Sequence, residues 1–314
     1  MTHVGWMQGN RPRLPRLCPM LQGRNRTIGE VIREGERSIS FEFMPPRDEA
    51  GAAQLWQAIS DLEPYEPTFV SVTYGAGGTT RDTTVQLTGR IARETSLRAM
   101  GHLTCVGHTR AELATILESY RAAGVRNILA LRGDPKDGPS APWTPTEGGL
   151  TYAVELVELV REMGGFTIGV AAFPEGHPSA ESLEHDAQVL VAKARAGAEF
   201  AVSQLFFRPQ DYFELVERVR AHGVDIPVLP GIMPILNLKS VARMAELSGA
   251  DIPAEVMARF DGVSEPADVR RVGVEIATEF CQALLAGGAP GLHFYTLNRS
   301  RATLEIFEAL KITV

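Results

Sequence analysis

Cysteine is scarce in this chain of 314 residues, with only Cys18, Cys105 and Cys281 and no CxxC pair. An odd, widely spaced set supports neither a disulfide framework nor a zinc ribbon, and it suits a reducing compartment. Lysine is nearly as scarce, being confined to Lys136, Lys193, Lys239 and Lys311. All four fall in segments that read as loop, helix or tail. A Schiff-base aldolase needs a strand-borne lysine, so that chemistry is disfavoured. His102, His108, His177, His185 and His293 form no HxH or HExxH spacing, which argues against a zinc site. No apolar run approaches a membrane span. The net charge of −7 argues against nucleic acid or an anionic membrane as the main partner. Residues 1–26 carry five arginines among Pro12, Pro15 and Pro19, without a continuous apolar core. They read as a flexible extension, not a secretory signal, and a cytoplasmic location is expected.

What is present is ordinary globular composition, 44% hydrophobic and 22% charged. Strand-like runs, marked by β-branched and aromatic residues, are predicted near 38–43, 68–74, 98–105, 126–131, 166–172, 199–206, 226–231 and 291–296. Helical patterns separate them, after a short helix at 27–36. An extra pair, at 253–260 and 266–286, precedes the last strand, and 299–311 closes the chain. Eight strand-plus-helix units predict a single-domain (β/α)₈ TIM barrel over 27–314. A doubly wound sheet is the runner-up, but no GxGxxG follows the first strand.

A barrel of this kind places its chemistry where strands end. Four motifs close strand-like runs: SFEFMPPR (40–47), TYGA (73–76), LRGD (131–134) and HFYTLNR (293–299). Period-two alternation puts Ile39, Phe41 and Phe43 on one face of the first strand, toward the helical ring. Ser40, Glu42 and Met44 then face the interior near its mouth. A carboxyl that is partly desolvated there can hold its proton and serve as a general acid. Position alone serves equally well a Glu42 salt-bridged to a barrel arginine. Asp134 can tune a bound heterocycle by its fixed charge, although as an isolated RGDP string it suits a plain turn better. Gln204, near the end of the sixth strand, offers one donor and one acceptor suited to a pterin edge, or to a hydrogen bond inside the barrel.

Taken together, SFEFMPPR, FVSVTYGA, HLTC, ALRGDP, AAFPEGHP, QLFF, PGIMPI and HFYTLNR resemble the methylenetetrahydrofolate reductase family, in the family's order and over about residues 37–311. The resemblance implies a barrel that binds FAD non-covalently, takes hydride from NADH or NADPH and reduces methylenetetrahydrofolate to methyltetrahydrofolate. It implies that Glu42 is the acid that helps open the folate's five-membered ring, and that Asp134 is the anion favouring the resulting cation. Gln204 resembles the pterin-binding glutamine and Arg299 a substrate-side arginine. Thr73, Tyr74, Ala76, His102, Arg132, Gly133, Asp134, Tyr152, Ala153, His177, Asp186 and Lys193 match flavin-contact positions.

This chain also departs from the family pattern. Phe173 stands where relatives often carry Tyr. Val189 and Ala192 replace polar or basic residues in the helix that clasps the FAD tail, and Leu238 replaces an aromatic of some relatives. Each lost donor costs on the order of 1 kcal/mol, so looser flavin retention is expected. The same reaction with absent flavin or a deazaflavin is one alternative, and an unrelated TIM-barrel lyase or isomerase is another. The latter would want a Gly-rich phosphate cradle after strands seven and eight, which PGIMP and TLNR do not offer. No selector residue separates NADH from NADPH. A homo-oligomer stays open, and a long regulatory region is not expected.

Overall fold

The computed structural model describes residues 27–34, 37–75, 81–135 and 141–312. The extension predicted at 1–26 and the flavin-contact position Ala76 lie outside these residues. Eight parallel strands close into a barrel in chain order: β1 (Ser38–Phe43), β2 (Phe69–Val72), β3 (Ala99–Thr104), β4 (Asn127–Leu131), β5 (Thr167–Ala172), β6 (Phe200–Leu205), β7 (Val228–Ile232) and β8 (Gly291–Tyr295). β8 returns to pair with β1, placing Glu42 opposite Tyr295. This is the predicted (β/α)₈ barrel. No helix among the described residues is long and apolar enough to cross a membrane.

The strands are apolar on both faces because both are covered, as in all-parallel sheets. Outward-facing Phe41, Phe43, Val70, Val72 and Phe294 are fully buried against the helical ring. Phe41 and Phe294 also meet Phe307 of the last helix, with ring centroids 5.9 and 5.3 Å apart. Inside, Phe69, Met100, Leu129, Phe200 and Leu229 form an apolar floor. The short helix α1 (Ile28–Arg33) closes it from below with Ile28 and Ile32. A capping box between Thr27 and Glu30 starts that helix. Above the floor the interior turns polar, with buried Ser40, Ser71, His102, Thr104 and His293.

The outer ring comprises α2 (Glu49–Leu62), α3 (Arg81–Glu94), α4 (Arg110–Ala122), α5 (Ala153–Met163), α6 (Leu183–Ala196), α7 (Pro209–Ala221) and α8 (Leu238–Ser248). The predicted extra pair is α9 (Ala254–Ala258) and α10 (Pro266–Ala286), and α11 (Arg301–Leu310) ends the chain. Together, α8 to α10 and the ends of β6 and β7 bury a satellite apolar cluster that includes Leu205, Met233, Ile235, Val241, Phe260 and Val269.

Arginines in the last turns of successive helices reach the C-terminal end of the next helix. Arg93 donates to Ala123 O (3.3 Å), Arg121 to Met163 O and Gly164 O (3.1 and 2.8 Å), and Arg195 to His222 O (3.1 Å). Each acceptor is at or next to a C-cap, where carbonyls lack helical partners and the dipole favours a cation. Arg121 also lies over the Phe166 ring at 5.1 Å. Arg121→Ala should therefore lower stability by about 1–2 kcal/mol. A denaturation midpoint shift at unchanged m-value checks this.

Candidate functional site

The candidate residues gather where strands end, as barrel geometry requires. Glu42 sits one residue before the end of β1 and faces inward with a side chain 16% exposed. Its Oε2 lies 3.5 Å from His102 Nε2 and 3.7 Å from His293 Nε2. Among the described residues no arginine or lysine pairs with it, so the salt-bridged alternative is not what the structure contains. Burial pushes His102 down to about 4, against an opposing pull from Glu42, so its imidazole is neutral near pH 7. Ser40 Oγ donates to Leu292 O at 3.4 Å and lies 2.9 Å from His293 Nδ1. The contact with Nδ1 orients the imidazole so that Nε2 turns toward Glu42.

A second group spans β4, β5 and α6. Arg132 follows β4, its guanidinium 3.5 Å from His177 Nε2 and 4.9 Å above the Trp143 ring. His177 Nδ1 accepts from Ser179 N at 3.0 Å, so in the neutral ring Nε2 carries the hydrogen. Two donors therefore face each other, an arrangement that an anion accepting from both would satisfy. Burial first, then Arg132 and Lys193, pushes His177 down to about 4. Lys193 is buried, donates to Ala171 O at 2.9 Å, and is held down at about 8 by burial against the attraction of Asp186. Burial raises the Asp186 carboxyl, and Lys193 opposes that rise.

Between the two groups runs the loop bearing Gly133 and Asp134. Gly133 has φ +80°, and a Cβ there would lie 2.6 Å from Val106 Cγ1 and 2.8 Å from Thr104 Cβ. Only glycine fits. Asp134 is solvent-accessible at the rim, yet the surrounding protein raises its carboxyl while Arg132 pulls it back.

The remaining predicted residues divide. Gln204 sits where the β6–β7 register shifts, and its Oε1 accepts from Leu205 N at 2.8 Å. The acceptor is thus spent locally, leaving the Nε2 donor for a ligand. Arg299 is exposed just past β8; its backbone N–H donates to Thr296 O at 2.9 Å, and its guanidinium pairs with no described residue. Thr73 is bound through its backbone, its N–H donating to Phe43 O at 2.9 Å. Tyr74 is buried and its hydroxyl is 3.1 Å from His108 Nε2. Tyr152 caps α5 with its backbone and is 58% exposed as a residue, while Ala153 is buried. Two outer grooves of about 630 and 680 Å³ lie against α4–α5 and α11, and none of the candidate residues lines either.

Comparison with known proteins decides the family. The family described as methylenetetrahydrofolate reductase matches residues 27–311. The 5,10-methylenetetrahydrofolate reductase of Escherichia coli (strain K12) is 39% identical over 289 residues, covering 92% of this chain and 95% of that protein. The chain belongs to the methylenetetrahydrofolate reductase family. A plant relative, Methylenetetrahydrofolate reductase (NADH) 1 of Arabidopsis thaliana, is 37% identical over 291 residues, 89% of this chain and 49% of that protein. Among solved structures, an uncharacterized Clostridium thermocellum protein described as binding two copies of 5-methyl-5,6,7,8-tetrahydrofolic acid superposes with TM-score 0.61 at 11% identity. It covers 91% of this chain and 99% of that one. At that identity it supports the barrel alone.

Within the family pattern, the departures read in the sequence occupy clear places. Phe173 packs edge-on against His177, with ring centroids 4.8 Å apart. Val189 is 36% exposed on α6, and Ala192 is also exposed. Leu238 opens α8 and packs against the satellite cluster. Ser40 and His293, which frame Glu42, were not predicted as site residues. Alternation along β1 and β8 puts both on the inner face, but only the non-local β1–β8 pairing joins them.

Proposed function

We propose that this chain, with residues 27–314 acting as one catalytic unit in the cytoplasm, reduces methylenetetrahydrofolate to methyltetrahydrofolate with NADH or NADPH. The observation that carries the reading is Glu42. It is an inward carboxyl at the barrel's mouth, flanked by the imidazoles of His102 and His293 and paired with no described arginine or lysine. A carboxyl so placed can act as a proton donor, which is what opening the folate's five-membered ring demands.

In this reading Glu42 gives its proton to the departing ring nitrogen, and Asp134 stays anionic beside the iminium cation so formed. Gln204 offers Nε2 to the pterin edge, and the unpaired Arg299 meets substrate carboxylates. The residues present fit FAD. Trp143 Nε1 is buried without a described partner, and Arg132, His177 and Lys193 present donors to a diphosphate. Bound FAD supplies hydride transfer between nicotinamide and folate. Thr73, Tyr74, Ala76, Tyr152, Ala153 and Asp186 complete the cofactor set in this assignment.

Val189 and Ala192 weaken the grip on the cofactor. Val189→Asn and Ala192→Arg should each tighten FAD by about fivefold, one recovered hydrogen bond apiece. Flavin released on dilution, read by fluorescence, measures it. The activity is tested by supplying FAD, methylenetetrahydrofolate and each nicotinamide nucleotide to the purified protein. Stoichiometric nucleotide oxidation and methyltetrahydrofolate are expected. A lyase or isomerase would consume no nucleotide.

A further inference from the structure

Beyond the ladder joining β1 to β8, the chain continues their pairing with one side chain. Asn298 Nδ2 donates to Met44 O at 2.9 Å, and Asn298 Oδ1 accepts from Met44 N at 2.8 Å. The amide thus occupies the place of a further strand residue, bonded both ways to the backbone two residues past Glu42. Its main chain is held as well. Asn298 N donates to Thr296 Oγ1 at 3.2 Å, and Gln54 Nε2 of α2 donates to Asn298 O at 3.0 Å. Thr296 Oγ1 in turn donates to the carbonyl of Glu42 itself at 2.6 Å.

This geometry requires an unusual backbone. Leu297 and Asn298 both adopt left-handed conformations, with φ of 49° and 58°. Asn tolerates that region better than most residues, whereas Leu does not, and such strain persists only where surrounding contacts over-determine it. The residue that follows is Arg299. Asn298 is buried at 8% exposure, between the segment carrying the acid and the unpaired guanidinium. Arg299 N donates to Thr296 O at 2.9 Å, one tie to Glu42 through Thr296, and the Asn298 clasp on Met44 adds the second, side-chain tie between the two segments.

We propose that Asn298 is a positioning residue that holds Glu42 and Arg299 in one register, so that the folate is gripped and protonated by a single rigid unit. The proposal rests on the reductase reading for the identity of the substrate. Asn298→Gly keeps the left-handed backbone accessible and removes only the amide clasp. Asn298→Asp keeps the acceptor to Met44 N and sets a carboxylate oxygen against Met44 O.

The two variants and the wild type are compared in folate reduction, in menadione reduction by NADH, and by thermal unfolding. Both variants should lose at least tenfold in kcat/KM for methylenetetrahydrofolate, through kcat and KM together. Loss in menadione turnover should stay under threefold, and the unfolding temperature of Asn298→Gly should move by only a few degrees. Equal losses in both reactions would make Asn298 merely structural and overturn the proposal, as would full folate activity in both variants. If the wild type itself fails to reduce the folate while oxidising NADH with menadione, the substrate reading fails instead.

Discussion

Glu42→Gln is expected to cut folate reduction by about 10³-fold, the scale of a lost general acid, while NADH-to-menadione turnover keeps most of its rate. Gln preserves the size and the contacts to His102 and His293 but cannot give up a proton. The nicotinamide half of the cycle transfers hydride and needs no acid from this side chain. Pre-steady-state absorbance separates the two halves: flavin reduction by NADH on one side, reoxidation by methylenetetrahydrofolate on the other. Equal slowing of both would remove Glu42 from the role of acid. A variant that keeps folate reduction would do so too.

The second large effect belongs to Asp134. Asp134→Asn removes a negative charge at the rim without altering the turn that Gly133 sets. Only the folate half builds positive charge on substrate, so its rate should fall by about 10²-fold, while the nicotinamide half changes far less. The neighbouring Arg132 opposes Asp134 electrostatically. Its guanidinium should face less competition in the variant and bind a flavin diphosphate at least as well, so flavin retention should not drop. A parallel loss of flavin and of both half-reactions would instead mark Asp134 as a structural support for the loop.

The barrel was legible because local signals and global fold agree. β-branched and aromatic runs alternate with helical patterns; seven of the eight strands fall within the predicted segments, and β7 runs one residue past its predicted end, to Ile232. Glu42 could be placed by alternation alone, since Phe41 and Phe43 had to face the helices. Its surroundings could not. His293 lies on the last strand, and only closure of the barrel brings it against Ser40, 253 residues away. The amide of Asn298 reaches Met44 across a similar separation, and its left-handed backbone leaves no signature in a string reading LNR. Gln204 shows a different limit. The register shift in β6 turns its carbonyl onto Leu205, a local event that composition does not encode.

A crystal structure of the protein with FAD and 5-methyltetrahydrofolate bears most directly on the shared-pocket claim. The account predicts the pterin stacked in the barrel's mouth, with Glu42 in hydrogen-bond reach of a reacting nitrogen directly or through one water, and Asp134 on the same ligand. A pterin bound elsewhere, with Glu42 sealed behind His102 and His293 and Asp134 facing a separate cavity, would contradict it.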